Sequence, residues 1–437
     1  MTKAAVPNYM TKHIESQDVA PGHRFGLYFP VWQDNWSRAE SGKKEALKTV
    51  AKSLSPNSIK LTENLRQRQQ SIALKQNAEY FPAKSIAPFM TGIGNEHPLE
   101  NGFAFINPYG LPYLPGSSVK GVLRTAAEQL ALGLYGDKQG WDMLSVWWLF
   151  GFEAGGSMFK QSAYGIDVLD EEAQRRQAIY QEWLARGEYE VAALKKFIEC
   201  ATEAKDKKRY IDQPQAFLND LALNKTLRES ISIQGALCFW DVFPESKSLA
   251  MDILTPHHGG YFNGKNSPHD SEQPVPNVLL TLPPNSQFDF YCTCAEARLP
   301  EFFRQHWKTL LKATFEHAFD WLGFGAKTAV GYGQMNFDQG KIDALVEYQE
   351  QMRLEALSTE QKLIQELRQK LQTKQKSKVS EQIGGPLYTE LKQLITAADK
   401  WSRTDKDDLL EIARLLVEFI GAKGNKKAKE LLTQLQN

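Results

Sequence analysis

Two glycine-rich stretches, far apart in the chain, carry the residues best suited to binding a phosphate. The first is Leu114–Arg124 (LPGSSVKGVLR) and the second is Gly323–Gly333 (GFGAKTAVGYG). Each combines backbone amides that no large side chain shields with one or two cations. Repeated sites of this kind are typical of proteins that hold a phosphate backbone, so the pair points to nucleic acid rather than to a small metabolite.

The first stretch predicts the start of an amphipathic helix. A Pro-Gly pair ends an extended segment, and Ser117 or Ser118 offers a hydroxyl to the first free amides. Residues at helical spacing predict the buried face: Val119, Val122, Leu123, Ala126, Ala127, Leu130, Ala131 and Leu134. Lys120 and Arg124 lie one turn apart on the other face, near the positive end of the helix dipole. The helix either holds a phosphate or is an ordinary capped helix with two solvated cations.

The second stretch follows a predicted helix over Phe302–Leu322 and precedes a predicted strand over Val330–Phe337. This order excludes a dinucleotide motif, in which the glycines follow a strand and open a helix. A P-loop is excluded because no glycine directly precedes Lys327 and no helix follows it. A ligand would meet the glycines and two polar residues of this loop: Gly323, Gly325, Gly331, Lys327 and Thr328. A purely structural loop is the alternative.

Composition indicates a globular chain without metal, cofactor or membrane span. The 437 residues are 42% hydrophobic and 24% charged, which suffices for a sizeable core and more than one domain. The four cysteines form no CxxC pair, and the scattered histidines match no metal-ligand spacing. No signal peptide precedes Pro7, and no apolar run reaches the roughly 18 residues of a transmembrane helix. We therefore expect a cytoplasmic protein.

Charge is balanced over the chain but not along it. There are 52 basic and 52 acidic residues in total, yet the segment 37–76 holds nine basic residues against three acidic ones. Binding of nucleic acid depends on the local field rather than on net charge, so this segment is compatible with a basic groove. A solvated helical face is the alternative explanation.

The order of predicted elements indicates an α+β fold. Residues rich in β-branched and aromatic side chains predict strands at Tyr80–Thr91, Ser232–Phe243, Val278–Leu282 and Gln287–Cys294. These strands, the two predicted helices and the strand predicted at Val330–Phe337 occur in the order strand, helix, strands, helix, strand. This order fits a ferredoxin-like sheet with helices on one face.

Three segments are expected along the chain. Residues 1–78 comprise a loose arm, a short strand at Phe25–Trp32 and a basic helical segment. Residues 79–340 form the ferredoxin-like domain, interrupted by a helical insertion at about 155–230 that is rich in Ala, Glu, Gln and Lys. Residues 341–437 are a charged helical extension that carries no recognisable chemistry.

Four motifs, in this order, resemble the RAMP superfamily of CRISPR-associated proteins: Thr91–Asn95 (TGIGN), Gly110–Arg124 (GLPYLPGSSVKGVLR), Met251–Phe262 (MDILTPHHGGYF) and Gly323–Gly333. The GNEHP and TPHHGGYF runs are most similar to the family of the sixth subunit of the type III-B Cmr effector complex. The resemblance covers about residues 80–337. It implies a RAMP domain of the ferredoxin-like (RRM-type) fold, although an aromatic RNP signature for base stacking is missing.

The resemblance implies an antiviral-defence protein that holds the backbone of a guide RNA towards its 3′ part and is not an enzyme. It implies as partners the guide RNA (crRNA), the target RNA and other Cmr subunits: the backbone RAMP subunit, the small helical subunit and a neighbouring RAMP subunit. The implied RNA-binding residues come from the four motifs: Gly92, Gly94, Asn95, Ser117, Ser118, Lys120, Arg124, His257, His258, Gly323, Gly325, Lys327, Thr328 and Gly331.

Catalysis is the main alternative, since some RAMP proteins cleave RNA. In a metal-independent endoribonuclease, His257 and His258 would serve as acid and base; otherwise they contact RNA or only pack. By resemblance to the target-cleaving Cmr backbone subunit, an aspartate is expected seven residues after Gly94, where this chain has Asn101. An amide acts neither as a base nor as a carboxylate ligand, which favours a non-catalytic subunit, with adjacent Glu100 as the alternative carboxylate. A protein-only helical scaffold is a further alternative.

Overall fold

The computed structural model describes residues 2–436 apart from 15, 17, 40–41, 99–100, 153, 155–170, 202–203, 256–266, 268–275, 378–380 and 423. The chain forms two compact units, Met1–Gln339 and Gly340–Asn437. The change in composition at residue 341 predicts nearly the same boundary, and residues 1–78 belong to the first unit. Within the described parts of the chain, no helix is both long and apolar enough to cross a membrane.

The strands of the described residues form one four-stranded sheet and two hairpins. They are β1 (Glu79–Ser85), β2 (Phe105–Ile106), β3 (Leu111–Pro112), β4 (Leu237–Phe239), β5 (Ala250–Leu254), β6 (Asn277–Thr281), β7 (Gln287–Cys294) and β8 (Met335–Phe337). The main sheet has the order β4-β7-β1-β8, and each neighbouring pair is antiparallel. The hairpins pair β2 with β3 and β5 with β6.

The described helices lie before β1, between β3 and β4, between β7 and β8, and in the second unit. In the first unit they are α1 (Thr11–Ile14), α2 (Pro21–Gly26), α3 (Lys43–Lys48), α4 (Pro56–Lys75), α5 (Gly116–Leu132), α6 (Met143–Phe150), α7 (Glu171–Arg186), α8 (Val191–Ala201), α9 (Ala204–Asp212), α10 (Pro214–Leu223), α11 (Lys225–Ser230) and α12 (Glu301–His317). Then follow α13 (Gln339–Ala356), α14 (Thr359–Lys376), α15 (Pro386–Ala397), α16 (Arg403–Phe419) and α17 (Lys426–Gln436). The α+β class predicted from the sequence is confirmed.

The main sheet and two helices have the connectivity of a ferredoxin-like unit. In chain order they run β1, α5, β4, β7, α12, β8, and the first and third of these strands are the central ones. Alternation along β7 directs Phe288 and Phe290 to the core, where Phe290 and Phe81 of β1 both meet Phe315 of α12. The apolar stripe of α5 is buried in the same core, as its periodicity predicts.

The other face of the main sheet is covered in part by α4. Arg66 of this helix pairs with Asp289 at 2.5 Å and with Glu245. Tyr80 donates to the other oxygen of Asp289 at 2.8 Å and stacks on Tyr291. Burial, together with the Asp289 charge, raises the pKa of Tyr80 far above its ordinary value, so the phenol stays protonated and remains a donor.

The helical insertion is packed into the first unit and is not a separate body. Its described helices, α7 to α11, share one hydrophobic core with the main sheet. Trp147 of α6 contacts Trp183 of α7 and Phe197 of α8, so the bulky apolar run around Trp147 is core. The second unit has its own core, which α14, α15, α16 and α17 supply.

The strand predicted at Phe25–Trp32 is wrong. Helix α2 ends at Gly26, and Trp32 forms only isolated bridges with Lys3 and Arg38. Phe25 lies in the last turn of α2, Phe29 follows the helix, and both are buried with their rings in edge-to-face contact. The region before Pro21 also contains a short helix, α1, where a loose arm was expected.

Replacing Arg66 with alanine should destabilise the first unit by about 2–4 kcal/mol, because it leaves the buried Asp289 carboxylate without its cation. Arg68→Ala on the same helix is the matched control: Arg68 is exposed and pairs with no described residue, so it should cost less than about 0.5 kcal/mol. Urea unfolding followed by tryptophan fluorescence measures both, since all tryptophans except Trp401 lie in this unit. Equal midpoints would contradict a structural role of the pair.

Candidate nucleic-acid interface

The second glycine-rich stretch packs directly on the loop that follows β1. Ala326 N donates to Met90 O at 2.8 Å, and Gly333 N donates to Pro88 O at 2.8 Å. This brings Gly323–Gly333 against the segment that leads into the TGIGN motif. Two motifs that are far apart in the sequence therefore lie side by side at the end of β1.

The same loop connects to the first stretch on its other side. Ala104 N donates to Thr91 O at 3.0 Å, and Tyr113 N donates to Ala104 O at 3.4 Å. Leu114 in turn exchanges two backbone hydrogen bonds of 2.9 Å with Val242, beyond the end of β4. The TGIGN motif thus lies between the two predicted phosphate-binding stretches. The three motifs form one backbone network, which we call the motif ribbon: residues 88–95, 102–104, 111–116 and 323–333.

Most glycines of the motif ribbon allow two backbone segments of the protein to approach each other closely. Gly325 has φ +92°, and a Cβ there would collide with Met90 O; a Cβ on Gly333 would collide with Phe324 O. A Cβ on Gly92 would lie 2.7 Å from Ala104 N. Gly94 and Gly331 instead face open space. The prediction that these glycines admit a ligand is therefore compatible with Gly94 and Gly331, while Gly92 and Gly325 approach protein backbone.

Lys327 is the cation that the motif ribbon exposes in its glycine-rich loop. It adopts a left-handed conformation, with φ +60°, at the start of the short 3₁₀ turn Thr328–Val330. The residue is exposed and forms no ion pair with any described residue. Its side chain is exposed, with half-buried Thr328 beside it, and the role of both in binding a phosphate stays a prediction.

Arg124 does not present its guanidinium to solvent as a free cation. Its Nε donates to Glu128 Oε1 at 3.0 Å, its Nη1 donates to Gly151 O at 3.1 Å, and only 17% of the side chain is exposed. The group therefore ties α5 to the end of α6. This differs from the prediction that Arg124 and Lys120 together hold a phosphate, because Glu128, one turn further along the helix, pairs with Arg124.

The amino end of α5 is capped by a carboxylate of the chain itself. The helix begins at Gly116, whose N–H donates to Asp241 Oδ1 at 2.8 Å. Ser117 and Ser118, expected to cap the helix, lie instead within its first turn, and no side chain at the N-cap position accepts a hydrogen bond. Asp241 thus neutralises the dipole where an external anion was expected. Local sequence gives no signal for this contact, since the partners are far apart in the chain.

The run after TGIGN is anchored to the amino-terminal segment. His97 stacks on Phe25 at 3.7 Å between ring centroids, and its Nε2 lies 2.8 Å from Phe25 O. Burial lowers the pKa of His97, so the ring is neutral at pH 7. Arg38, from the basic segment, donates to Pro98 O at 2.8 Å. Asn95 remains exposed next to this anchor.

The β5–β6 hairpin is tied to the motif ribbon on two sides. Tyr332 Oη donates to Asp252 Oδ2 at 2.7 Å, and burial together with this bond raises the pKa of Tyr332 to about 12. Asn101 Nδ2 donates to Asn277 Oδ1 at 2.6 Å. Asn101 therefore orients the base of the hairpin. His257, His258 and Glu100 lie outside the described residues, so their predicted roles stay predictions.

The described residues contain no group of three or more His, Cys, Asp or Glu side chains that could hold a metal ion. Backbone amides, the Lys327 ammonium, the Thr328 hydroxyl and the Asn95 amide are the groups that can contact a phosphodiester.

Comparison with protein families gives one match over most of this region. The model of the RAMP superfamily matches residues 83–336, more than half of the chain. Among characterised proteins, the chain is similar to the CRISPR system Cmr subunit Cmr6 of Pyrococcus furiosus, with 25% identity over 271 residues. That alignment covers 58% of this chain and 66% of the archaeal protein.

Solved structures give distant matches. A type III-B Cmr-beta structure bound to cognate target RNA contains a chain with 15% identity and a TM-score of 0.37, over 68% of this chain and 70% of that one. The crystal structure of Cmr6 from Pyrococcus furiosus matches with 23% identity and a TM-score of 0.27, over 60% of this chain and 97% of that one.

Substituting Gly325 with alanine should destabilise the first unit by about 3 kcal/mol or more, because the new Cβ meets Met90 O in a backbone conformation that alanine disfavours. Gly331→Ala is the control in the same loop: φ is +96° there too, but the space is open, so only the conformational cost of about 1–2 kcal/mol applies. Thermal unfolding of the two variants compares them. Equal losses would show that contact with the β1 loop does not hold this stretch in place.

Proposed function

This chain belongs to the RAMP superfamily, and on that premise we propose that it is a non-catalytic RNA-binding subunit of a type III-B CRISPR (Cmr) effector complex. In this role it holds the backbone of the guide RNA towards its 3′ part, as a cytoplasmic ribonucleoprotein component in antiviral defence. The similarity to Cmr6 spans about two thirds of that protein, and it supports this class of function.

The observation that carries the proposal is the continuity of the motif ribbon. TGIGN lies between LPGSS and GFGAKTAVGYG, and backbone hydrogen bonds join all three along one end of the main sheet. Much of the ribbon is buried, and its exposed residues are 94–95, Lys327 and 329–330. An RNA strand presents phosphates at regular intervals, so exposed groups that the ribbon holds at fixed separations suit it. Lys327 supplies positive charge within this series.

The face of the main sheet on which α4 lies favours recognition of the RNA backbone over recognition of its bases. In RNA-recognition folds the aromatic residues of this face stack on bases. Here Tyr80 and Tyr291 stack on each other, and α4 lies across the face through the Arg66 pair with Asp289. These rings are engaged within the protein. Sequence selection in the complex would then come from base pairing with the guide.

The partners of this role are the guide RNA, the target RNA and other Cmr subunits. The backbone RAMP subunit, the small helical subunit and a neighbouring RAMP subunit would adjoin it. Helical surface for such contacts is present in the insertion, α7 to α11, and in the second unit. The non-catalytic part of the proposal is supported by Asn101, an amide bonded to Asn277 at the position where resemblance to the target-cleaving backbone subunit predicts an aspartate, with Glu100 as the alternative carboxylate.

Replacing Lys327 with alanine should weaken binding of the full chain to single-stranded RNA by several-fold and lower the slope of log K against log salt by about 0.7, the value for one lost phosphate contact. The loss should be the same for unrelated RNA sequences. Fluorescence anisotropy over a salt series measures both quantities. Lys312→Ala is the control, because Lys312 is exposed on α12 and pairs with Glu316 at 3.8 Å. If the two variants bind alike, Lys327 does not contact RNA.

Purified full-length chain should leave end-labelled RNA intact over hours, with and without EDTA, because the proposal assigns the motif ribbon to holding RNA without cleaving it. Denaturing gel electrophoresis reads the result. Cleavage that persists in EDTA and disappears in a His257→Ala/His258→Ala variant would replace the proposal with the metal-independent endoribonuclease.

A further inference from the structure

A cavity of about 470 Å³ lies beside the motif ribbon, between the first turns of α5 and the edge strand β4. The segment 234–239, residues 293–295 and the end of the 3₁₀ turn Glu296–Arg298 complete its walls. The polar side chains and thiol that line it include Ser117, Lys120, Gln234, Cys238, Thr293 and Arg298. Its volume lies within the range of about 300–1,000 Å³ that is typical of small-ligand sites.

The cavity is positively charged. Lys120 and Arg298 contribute two cations, and no acidic side chain is among the lining residues. Lys120 is half-buried and forms no ion pair with any residue that the structure describes, and Arg298 is likewise without an ionic partner there. A half-buried ammonium group loses part of its hydration, so an unpaired one favours an external anion.

The edge strand adds backbone groups to the same cavity. Trp240 N donates to Tyr291 O, and Ala295 N donates to Ala236 O, so every second residue of this segment is bonded to β7. In an antiparallel pair the intervening peptide groups face away from the partner strand. Those of Leu237 and Phe239 therefore face the α5 side, where α5 begins at Gly116 against Phe239 O. The cavity wall contains backbone polar groups that β7 does not use.

We propose that this cavity binds a phosphate group of the bound RNA, with Lys120 and Arg298 as its cations. The inference rests on the proposed function, and it assigns to Arg298 the role that the sequence suggested for Arg124. Because Asp241 already occupies the Gly116 amide, the anion is held by side chains and the β4 edge rather than by the helix end. The cavity adjoins the first motif of the ribbon, so an RNA strand that follows the ribbon reaches it.

Cys238 provides a direct probe, because it is exposed and lines the cavity. Cys200 of the insertion is also free and exposed but lies elsewhere, so it serves as a control within the same molecule. We expect RNA at about ten times its Kd to slow alkylation of Cys238 by N-ethylmaleimide about tenfold, if only the unbound protein reacts. Alkylation of Cys200 should keep its rate. Peptide mass spectrometry resolves the two sites.

The cations are tested by the variant Lys120→Ala/Arg298→Ala. It should bind RNA on the order of tenfold more weakly, with a salt slope lower by about 1.4. RNA at the wild-type concentration should then slow alkylation of Cys238 only about twofold, because about half of the variant is unbound. The control is Lys225→Ala/Lys312→Ala, which removes the same charge from exposed positions and should behave as wild type. The wild-type protection measurement decides the question even if the double variant folds poorly.

The same alkylation experiment on the wild-type chain, with inorganic phosphate or adenosine monophosphate in place of RNA, tests whether the cavity binds RNA or a small anion. Each compound is raised until the alkylation rate of Cys238 no longer changes. Protection of Cys238 by RNA alone supports the proposal. Protection by free nucleotide or phosphate but not by RNA overturns it in favour of a small-anion site. RNA binding without protection of Cys238 also overturns it while leaving the proposed function intact, whereas absence of RNA binding refutes the proposed function itself.

Discussion

The close approach of the glycine-rich loop to the chain after β1 is the contact on which the candidate interface depends. Gly325 and Gly333 place backbone where any side chain would collide with Met90 O or Phe324 O, and hydrogen bonds from Ala326 and Gly333 then fix the distance. This contact sets where Lys327 emerges and aligns TGIGN with the β5–β6 hairpin through Tyr332. Gly325 and Gly333 therefore build the surface by close packing, whereas Gly94 and Gly331 face open space.

Both faces of the main sheet contribute to the stability of the first unit. One face carries the phenylalanines that α5 and α12 bury, and the other is covered in part by α4 through the network of Arg66, Asp289 and Tyr80. Where both faces are covered, the strand ends and edges are the parts of the sheet left for a nucleic acid. That constraint explains why the sequence motifs gather at one end of β1 and beside β4, and why backbone contacts fit this protein better than base stacking.

Prediction from sequence succeeds where a local pattern fixes the structure. The stripe of α5 and the span of β7 follow from periodicity and β-branched or aromatic content, and both are found as expected. Prediction from sequence fails where a residue contacts a partner that is distant in the sequence. Asp241 caps α5 from a distant segment, and Arg298 reaches the cavity only because the helix and the edge strand are adjacent in space. The strand predicted at Phe25–Trp32 failed because aromatic residues suit a buried helix as well.

Asp241 explains why an external anion would not bind at the amino end of α5. A helix end with free amides attracts an anion, but a carboxylate within 2.8 Å of the first amide takes that place and cancels much of the dipole. Arg124 is likewise engaged, by Glu128 and Gly151. Of the cations near this end of the helix, Lys120 keeps its charge uncompensated within the described residues, and the cavity wall opposite supplies Arg298. The uncompensated positive charge therefore lies beside the edge strand β4 and not at the end of the helix. A phosphate there can contact both Lys120 and Arg298.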